Sequence, residues 1–140
     1  MRKVLIFAGT TEGRKLGEYC AKKHIAADVS AATEYGASLL PAGIGVLSGK
    51  MSSDDIHALL STDAYDIVID ATHPYAAAIT ANLRRICEEM QLPYYRLLRA
   101  PESIIGESIE TIHEIISVLN QCSSVVLSTL GSNSAAVLTN

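Results

Sequence analysis

A short turn bracketed by glycines, Gly9-Thr10-Thr11-Glu12-Gly13-Arg14, has the residue types that bind a phosphate group. Glycines let a backbone approach a ligand closely, and free N–H groups at the start of a helix attract an anion. The spacing does not fit the P-loop, which needs Gly-Lys where this chain has Arg14-Lys15. It does not fit the G-x-G-x-x-G pattern either, because Thr11 and Arg14 occupy the places of the second and third glycines of that pattern. The turn therefore predicts a phosphate-binding site or, alternatively, only a tight connection between a strand and a helix.

A second polar cluster is Ala32-Thr33-Glu34-Tyr35-Gly36. In dinucleotide-binding folds, an acid about twenty residues after the glycine turn accepts hydrogen bonds from the adenosine ribose, and Glu34 has this spacing. A free carboxylate there would repel a 2′-phosphate, so Glu34 favours NADH if its side chain points at the ribose. A solvated acid in a loop is an equally good interpretation.

The densest polar group of the chain is Asp70-Ala71-Thr72-His73-Pro74-Tyr75-Ala76. His73 has an imidazole that can donate or accept a proton, and Tyr75 has a phenolic O–H, so either side chain could supply a proton or hold a substrate carboxylate. Pro74 suits the first position of a helix. This would place Thr72 or His73 at the helix cap, where a purely structural role is as good an interpretation as a chemical one.

Three basic residues, Lys50, Arg96 and Arg99, lie in or just after predicted strands, at the same predicted edge of the sheet. Each alone is more often a solvated side chain, but their placement on an acidic chain suggests an anionic ligand. No serine lies in a nucleophile elbow. The four histidines show no spacing typical of metal ligands, so we expect no metal.

The composition favours a globular protein that binds a small molecule. With 49% hydrophobic and 19% charged residues, the chain is not of the disordered class. Its formal net charge of -4 argues against sequence-independent binding of nucleic acid. No apolar run approaches the ~20 residues that span a bilayer, and the short apolar run near the N-terminus does not make a signal peptide. We therefore expect a cytoplasmic protein without a membrane or nucleic-acid partner.

The three cysteines are far apart and odd in number, so they indicate neither a zinc site nor a disulfide framework. Buried free thiols are the expected state of Cys20, Cys87 and Cys122.

Strands that alternate with helices position the polar clusters. Predicted strands cover residues 3–8, 27–31, 45–47, 65–70, 94–98 and 124–128. The first predicted helix covers residues 12–24, and the second begins near residues 52–55. Two further helices are predicted from apolar residues at helical spacing over 79–90 and 109–119. This alternation predicts an α/β fold, a Rossmann-like parallel sheet with helices on both faces. Ligands on such sheets bind beyond the carboxyl ends of the strands, where all the polar clusters lie.

The domain organisation follows from the composition of the loops. Residues 1–100 form the predicted dinucleotide-binding domain, and residues 101–108, with Pro, Gly and Ser, form a linker. Residues 109–140 begin a second α/β domain that is incomplete, so we expect the chain to be part of a longer protein.

Taken together, the three clusters resemble the motifs of the precorrin-6A reductase family, called cobalt-precorrin-6A reductase in the anaerobic route. Pro93-Tyr94-Tyr95-Arg96-Leu97 and Leu127-Ser128-Thr129-Leu130-Gly131-Ser132 are also similar to that family. The similarity extends over nearly the whole chain and suggests that this chain corresponds to the N-terminal portion of a protein of that family. It implies a fold with two α/β domains and an NADH- or NADPH-dependent reduction of a macrocycle double bond in cobalamin biosynthesis.

The resemblance also implies roles for individual residues. The turn from Gly9 to Arg14, with Thr72, would hold the cofactor, and His73 and Tyr75 are the candidate catalytic residues. The substrate carries many carboxylates, which gives basic side chains a role as ion-pair partners. Implied substrate-binding residues are Thr33, Glu34, Tyr35, Gly36, Lys50, Arg96 and Arg99.

A competing interpretation is a dinucleotide-binding or redox-sensing module without chemistry. A short-chain dehydrogenase is disfavoured, because Tyr35 and Tyr75 are followed four residues later by Leu39 and Ile79, not by lysine. The sequence leaves open the choice between NADH and NADPH, the presence of cobalt in the substrate, the proton donor, the oligomeric state and the activity of these 140 residues alone.

Overall fold

The computed structural model describes residues 3–62, 64–99, 106, 109–121, 123, 125 and 127. The chain divides into two compact units, Met1–Ala100 and Pro101–Asn140. All the candidate site residues belong to the first unit.

The first unit is built on a five-stranded parallel sheet. Its strands are β1 (Val4–Ala8), β2 (Ala27–Ala31), β3 (Gly45–Ser48), β4 (Ile67–Ala71) and β5 (Tyr94–Arg96). The strand order is β3-β2-β1-β4-β5, with every neighbouring pair parallel. From β1 the chain adds strands toward one edge of the sheet and then, from β4, toward the other edge. The boundary between β1 and β4 is therefore the switch point at which open α/β sheets bind ligands. The predicted α/β fold is confirmed.

Helices cover both faces of this sheet. They are α1 (Thr11–Lys22), α2 (Glu34–Ser38), α3 (Ser53–Leu60) and α4 (Ala77–Glu89). Successive side chains of a strand point to opposite faces. Leu5 and Phe7 of β1 accordingly pack in a core with residues of α3 and α4, whereas Ile6 packs in a second core with Cys20 of α1.

The described cysteines are structural. Cys20 and Cys87 are buried free thiols, as predicted, and burial raises the pKa of Cys87 to about 11 and also raises that of Cys20. Neither thiol is set up as a nucleophile. Cys122 lies outside the described residues.

Hydroxyl caps fix where the helices begin. Thr10 caps α1 through its Oγ1, which accepts from Gly13 N at 3.3 Å. Thr33 caps α2 in the same way, accepting from Gly36 N at 3.0 Å. The predicted start of α3 is also confirmed, with Ser52 as the N-cap. Helix α2 itself was not predicted, because five residues are too few to show a helical repeat of apolar positions.

The predicted start of the fourth helix is wrong. Pro74 does not occupy the first helical position: α4 begins at Ala77, and its N-cap, Ala76, makes no side-chain cap bond. Instead, Ala76 N donates to the carbonyl of His73 at 2.9 Å and closes a turn. Thr72 does not cap the helix, because its amide and hydroxyl both donate to Asp70 Oδ1.

The second unit contains α5 (Ile112–Asn120). Its N-cap is Thr111, and the side chain of Glu114 returns a bond to the Thr111 amide in a capping box. The predicted strand 124–128, apart from residues 125 and 127, lies outside the described residues, as do the turn 129–132 and the linker 101–108 apart from Gly106. The predicted domain boundaries therefore stay predictions.

Among the described helices, none combines the length and the apolar character needed to cross a bilayer.

Candidate functional site

A cavity of about 640 Å³ lies at the carboxyl ends of the strands in the first unit. It collects residues that follow four strands, β1, β2, β4 and β5. The predicted site residues that line it are Gly9, Thr10, Thr11, Glu12, Arg14, Thr33, Tyr35, Gly36, Thr72, His73 and Arg99. Those that do not line it are Gly13, Glu34, Lys50, Tyr75 and Arg96.

The glycine turn holds the start of α1 against β4. Gly9 N donates to the carbonyl of Ala71 at 3.2 Å, and Thr10 Oγ1 donates to the same carbonyl at 3.0 Å. A Cβ on Gly9 would lie 3.2 Å from His73 N. The absence of a side chain at Gly9 therefore lets its backbone pack closely against the segment that follows β4.

Gly13 acts by packing, not by lining the cavity. Its residue is buried, and a Cβ there would lie 3.0 Å from Ala71 Cβ and 3.1 Å from both Cα and Cβ of Ala8. The absence of a side chain lets α1 approach the sheet where β1 and β4 end. The amides of the first helical turn, which have no intrahelical acceptor, consequently sit at the cavity.

An ion pair crosses the cavity wall at this turn. Arg99 Nε lies 2.9 Å from Glu12 Oε1, and both residues line the cavity. The Arg99 hydrogen bond is the main cause that lowers the pKa of Glu12, so this carboxylate is charged at neutral pH. An acid at the start of α1 opposes the binding of a phosphate there, and Arg99 offsets that charge.

Arg14 contributes a second positive charge to the cavity. Its Nε is buried and lies 3.5 Å from Glu18 Oε1, a distance typical of an ion pair, but without the geometry of a hydrogen bond. The side chain as a whole is 40% exposed. Arg14 therefore retains donors that a ligand in the cavity can use.

The second predicted cluster forms the start of α2. Thr33, Tyr35 and Gly36 line the cavity, and the Tyr35 side chain is 75% exposed. Glu34 is exposed outside the cavity lining. The structure thus brings most of this cluster to the site but gives Glu34 no contact there.

The third cluster is organised by a buried carboxylate. Asp70 is fully buried and accepts from Thr72 N at 3.0 Å, Thr72 Oγ1 at 2.7 Å and Tyr94 OH at 2.9 Å. Arg96 Nη1 pairs with Asp70 Oδ1 and also donates to Thr72 Oγ1 at 2.9 Å. These contacts fix the segment after β4 in one conformation.

The pKa of Asp70 reflects two opposing effects. Burial raises this pKa, but hydrogen bonds from Thr72, Thr80 and Tyr94 outweigh burial and hold it below its ordinary value. The same environment raises the pKa of Tyr94 to about 12, through burial and the Asp70 carboxylate. Asp70 is therefore a charged structural group and not a proton donor at neutral pH.

His73 lies at the cavity, whereas Tyr75 does not. His73 Nδ1 accepts from Tyr75 N at 3.3 Å, and the two rings are 5.2 Å apart at their centroids. Tyr75 is 91% exposed. Of the two candidate catalytic side chains, the structure places only His73 where it can meet a ligand in this cavity.

Arg96 belongs to the wall of the site. Its side chain is 18% exposed, and besides Asp70 it binds backbone carbonyls, with Nη2 donating to the carbonyl of His73 at 3.3 Å. The guanidinium therefore holds the backbone that carries His73. Lys50 is exposed away from the cavity lining.

Sequence reasoning missed two parts of the site. The apolar lining from Leu39, Leu40, Leu97 and Leu98 gives no motif. The bond from Tyr94 to Asp70 joins residues that are 24 positions apart in the sequence. The one signal in the sequence was the position of Asp70 at the end of a buried strand, because a buried carboxylate needs hydrogen-bond partners.

Known proteins resemble this chain in sequence and in fold. A family model described as Precorrin-6x reductase CbiJ/CobK matches residues 3–140. The chain is 36% identical over 101 residues to a precorrin-6A reductase of Mycobacterium tuberculosis (strain ATCC 25618 / H37Rv). This match covers 72% of this chain and 41% of the relative. It is 30% identical over 141 residues to a cobalt-precorrin-6A reductase of Salmonella typhimurium, covering 96% of this chain and 53% of the relative.

The fold is also that of a solved structure, a CobK precorrin-6A reductase, with a TM-score of 0.71 at 24% identity over 84% of this chain and 48% of that chain. The chain spans about half the length of the curated relatives it matches. Since the family model matches nearly every residue, this chain belongs to the precorrin-6x reductase CbiJ/CobK family.

Proposed function

We propose that this chain supplies the N-terminal cofactor- and substrate-binding part of an NADH- or NADPH-dependent reductase. The substrate is precorrin-6A or cobalt-precorrin-6A, whose macrocycle double bond is reduced to give precorrin-6B during cobalamin biosynthesis. The observation that supports this best is the cavity at the switch point of the sheet, lined by the glycine turn and by His73. Family membership supports the reaction class, and a cytoplasmic location is part of the same proposal.

The residues at the cavity fit a dinucleotide. The volume of about 640 Å³ lies within the range of small-molecule sites, and the glycine turn lines this cavity together with the start of α1. We assign the pyrophosphate to the first-turn amides of Thr11 and Glu12 and to the guanidinium of Arg14. A dinucleotide held in this way would supply hydride from its reduced nicotinamide. The residues of the chain would bind and orient the dinucleotide and the substrate.

Substrate binding is assigned to the side chains around the same opening. Thr33, Tyr35 and Gly36 offer a wall for the macrocycle, and Arg99 offers an ion pair for a carboxylate. His73 is the candidate residue that holds or delivers a proton, since it lines the cavity. Glu34, Lys50 and Tyr75, which lie outside the cavity lining, remain in the proposal only as contacts for parts of a large substrate that extend beyond the cavity.

The test is calorimetric titration of this chain with NADH and, separately, with NADPH. We expect saturable binding of at least one nucleotide with a stoichiometry of one, and competition by ADP-ribose, which shares the pyrophosphate. The preferred nucleotide identifies the cofactor. An absence of binding heat with both, in a folded chain, would contradict a dinucleotide site in this unit.

Replacing Glu12 with glutamine is expected to tighten nucleotide binding several-fold. The change removes a negative charge from the start of α1, where the helix dipole and the first-turn amides attract an anion. The gain should shrink at high salt, because Glu12 is near the surface and its charge is screened. Calorimetric titrations at low and at high ionic strength measure both effects.

Asp54→Asn is the matched control, since Asp54 is also an acid in the first turn of a helix but lies on α3, outside the cavity lining. This variant should bind nucleotide like the wild type. If Glu12→Gln binds more weakly, the Glu12 carboxylate assists the ligand, for example by accepting a ribose hydroxyl.

A further inference from the structure

A second concave surface, the α4 groove, has a volume of about 630 Å³. It lies along one face of α4 and reaches the residues that follow β4 and β5. The residues that define it are Pro74, Arg84, Arg85, Glu88, Arg96 and Leu98. Three arginines in one groove are unusual for a chain with a formal net charge of -4.

Two of these arginines have acidic partners. Arg96 is paired with the buried Asp70. Arg85 Nη1 lies 2.7 Å from Glu89 Oε1, and Arg85 Nη2 donates to Ser53 Oγ at 2.8 Å. Their charges are therefore largely balanced where they stand.

Arg84 differs from them. Among the residues that the structure describes, none forms an ion pair or hydrogen bond with Arg84, and its side chain is exposed in the groove. Glu88 lines the same groove without reaching ion-pair distance. The groove thus presents a guanidinium with all its donors available for a ligand.

The α4 groove adjoins the cavity of the candidate site. Pro74 and Leu98 line both hollows, so they form the border between them. A ligand that fills the cavity and extends past this border places its next polar group in the groove. Both border residues are apolar, and Arg84 is the arginine of the groove that has no partner among the described residues.

We propose that the α4 groove is an oxyanion subsite, in which Arg84 binds a carboxylate or a phosphate of a ligand held in the neighbouring cavity. This inference rests on the proposed function for the presence of that ligand. A guanidinium binds the two oxygens of either group in a bidentate manner. Glu88 weakens the subsite, because its carboxylate repels the same anion.

The test compares three variants of the chain with the wild type: Arg84→Gln, Glu88→Gln and Lys22→Gln. Lys22 is the matched control, since it carries the same charge at the far end of α1, outside both hollows. The probes are uroporphyrin I, a macrocycle with a carboxylate on every side chain, together with NADPH and NADH. Dissociation constants come from fluorescence titration, and circular dichroism checks that each variant is folded.

We expect Arg84→Gln to weaken at least one probe about fivefold, a loss typical of one charge-assisted contact near the surface. Glu88→Gln should tighten the same probe, and Lys22→Gln should leave it unchanged. A loss with uroporphyrin identifies a carboxylate as the ligand group, and a loss with NADPH but not with NADH identifies the 2′-phosphate.

Equal affinities of wild type and Arg84→Gln for all three probes would overturn the subsite. If NADH or NADPH still binds in that case, the proposed function stands without it. A wild-type chain that binds none of the probes overturns the inference together with the proposed function.

Discussion

Replacing Asp70 with asparagine is expected to lower the free energy of unfolding by about 3–5 kcal/mol at neutral pH, the usual cost of removing one partner of a buried ion pair. Asp70 is fully buried and Arg96 is 18% exposed, so the variant leaves a largely buried guanidinium without its counter-charge. Urea unfolding followed by far-ultraviolet circular dichroism measures the loss.

The effect should depend on pH in one direction. The pKa of Asp70 in the folded chain lies below its ordinary value, so its stabilisation is complete above the ordinary carboxyl pKa of about 4. It is lost as pH falls through the lower folded pKa. The difference between wild type and Asp70→Asn should therefore be constant near neutrality and close in acid. If the difference in the free energy of unfolding between wild type and Asp70→Asn stays the same at every pH, the charge of Asp70 has no such role.

Two further variants separate the charge from its hydrogen bonds. Tyr94→Phe removes one bond to Asp70 Oδ2 but keeps the ion pair, and it should cost about 1.5 kcal/mol, as for a hydrogen bond to a charged group. Adding Arg96→Met to Asp70→Asn removes the unpaired charge, so the double variant should be more stable than Asp70→Asn alone. Strict additivity of the two changes would show that the residues are not coupled.

Replacing Gly13 with valine is expected to destabilise the chain by about 1–3 kcal/mol or more, as overpacked sites do, and to abolish nucleotide binding. Its Cβ would lie 3.0–3.1 Å from atoms of Ala8 and Ala71, including backbone. Helix α1 must then move away from the sheet, and the first-turn amides move with it. Urea unfolding and calorimetric titration with NADH and NADPH measure the two losses.

Gly36→Ala is the control for this change, because Gly36 occupies the same place after the N-cap in α2. A Cβ there meets Thr33 Oγ1 at 3.2 Å and Ala31 Cβ at 3.6 Å, both side-chain atoms. Alanine also favours helix over glycine by about 1 kcal/mol, so stability should hold or rise. Gly13→Ala, in contrast, should already lose stability. Equal behaviour of the two alanine variants would mean that α1 tolerates a small displacement.

The sequence by itself determined the five strands, the longer helices of the first unit and the edge of the sheet where the cavity lies, but not α2 or the start of α4. Continuous apolar runs such as Val4–Ala8 are typical of strands covered on both faces, and the hydroxyl and acidic residues at 52–55 indicated the start of a helix. Because strands and helices alternate, the parallel direction of the strands and the place of the glycine turn after β1 followed from local patterns and the handedness of crossovers, whereas the order of the strands came from the structure.

Only the tertiary structure decided which polar side chains face a ligand and which hold the wall. Arg96 and Arg99 are three residues apart and chemically alike, yet Arg96 pairs with the buried Asp70 and Arg99 pairs with Glu12 at the cavity. Likewise, His73 lines the cavity while Tyr75 turns outward, because the helix begins at Ala77 and not at Pro74. These outcomes depend on contacts between residues far apart in the chain, and local propensity carries no information about which of several like charges finds the buried partner.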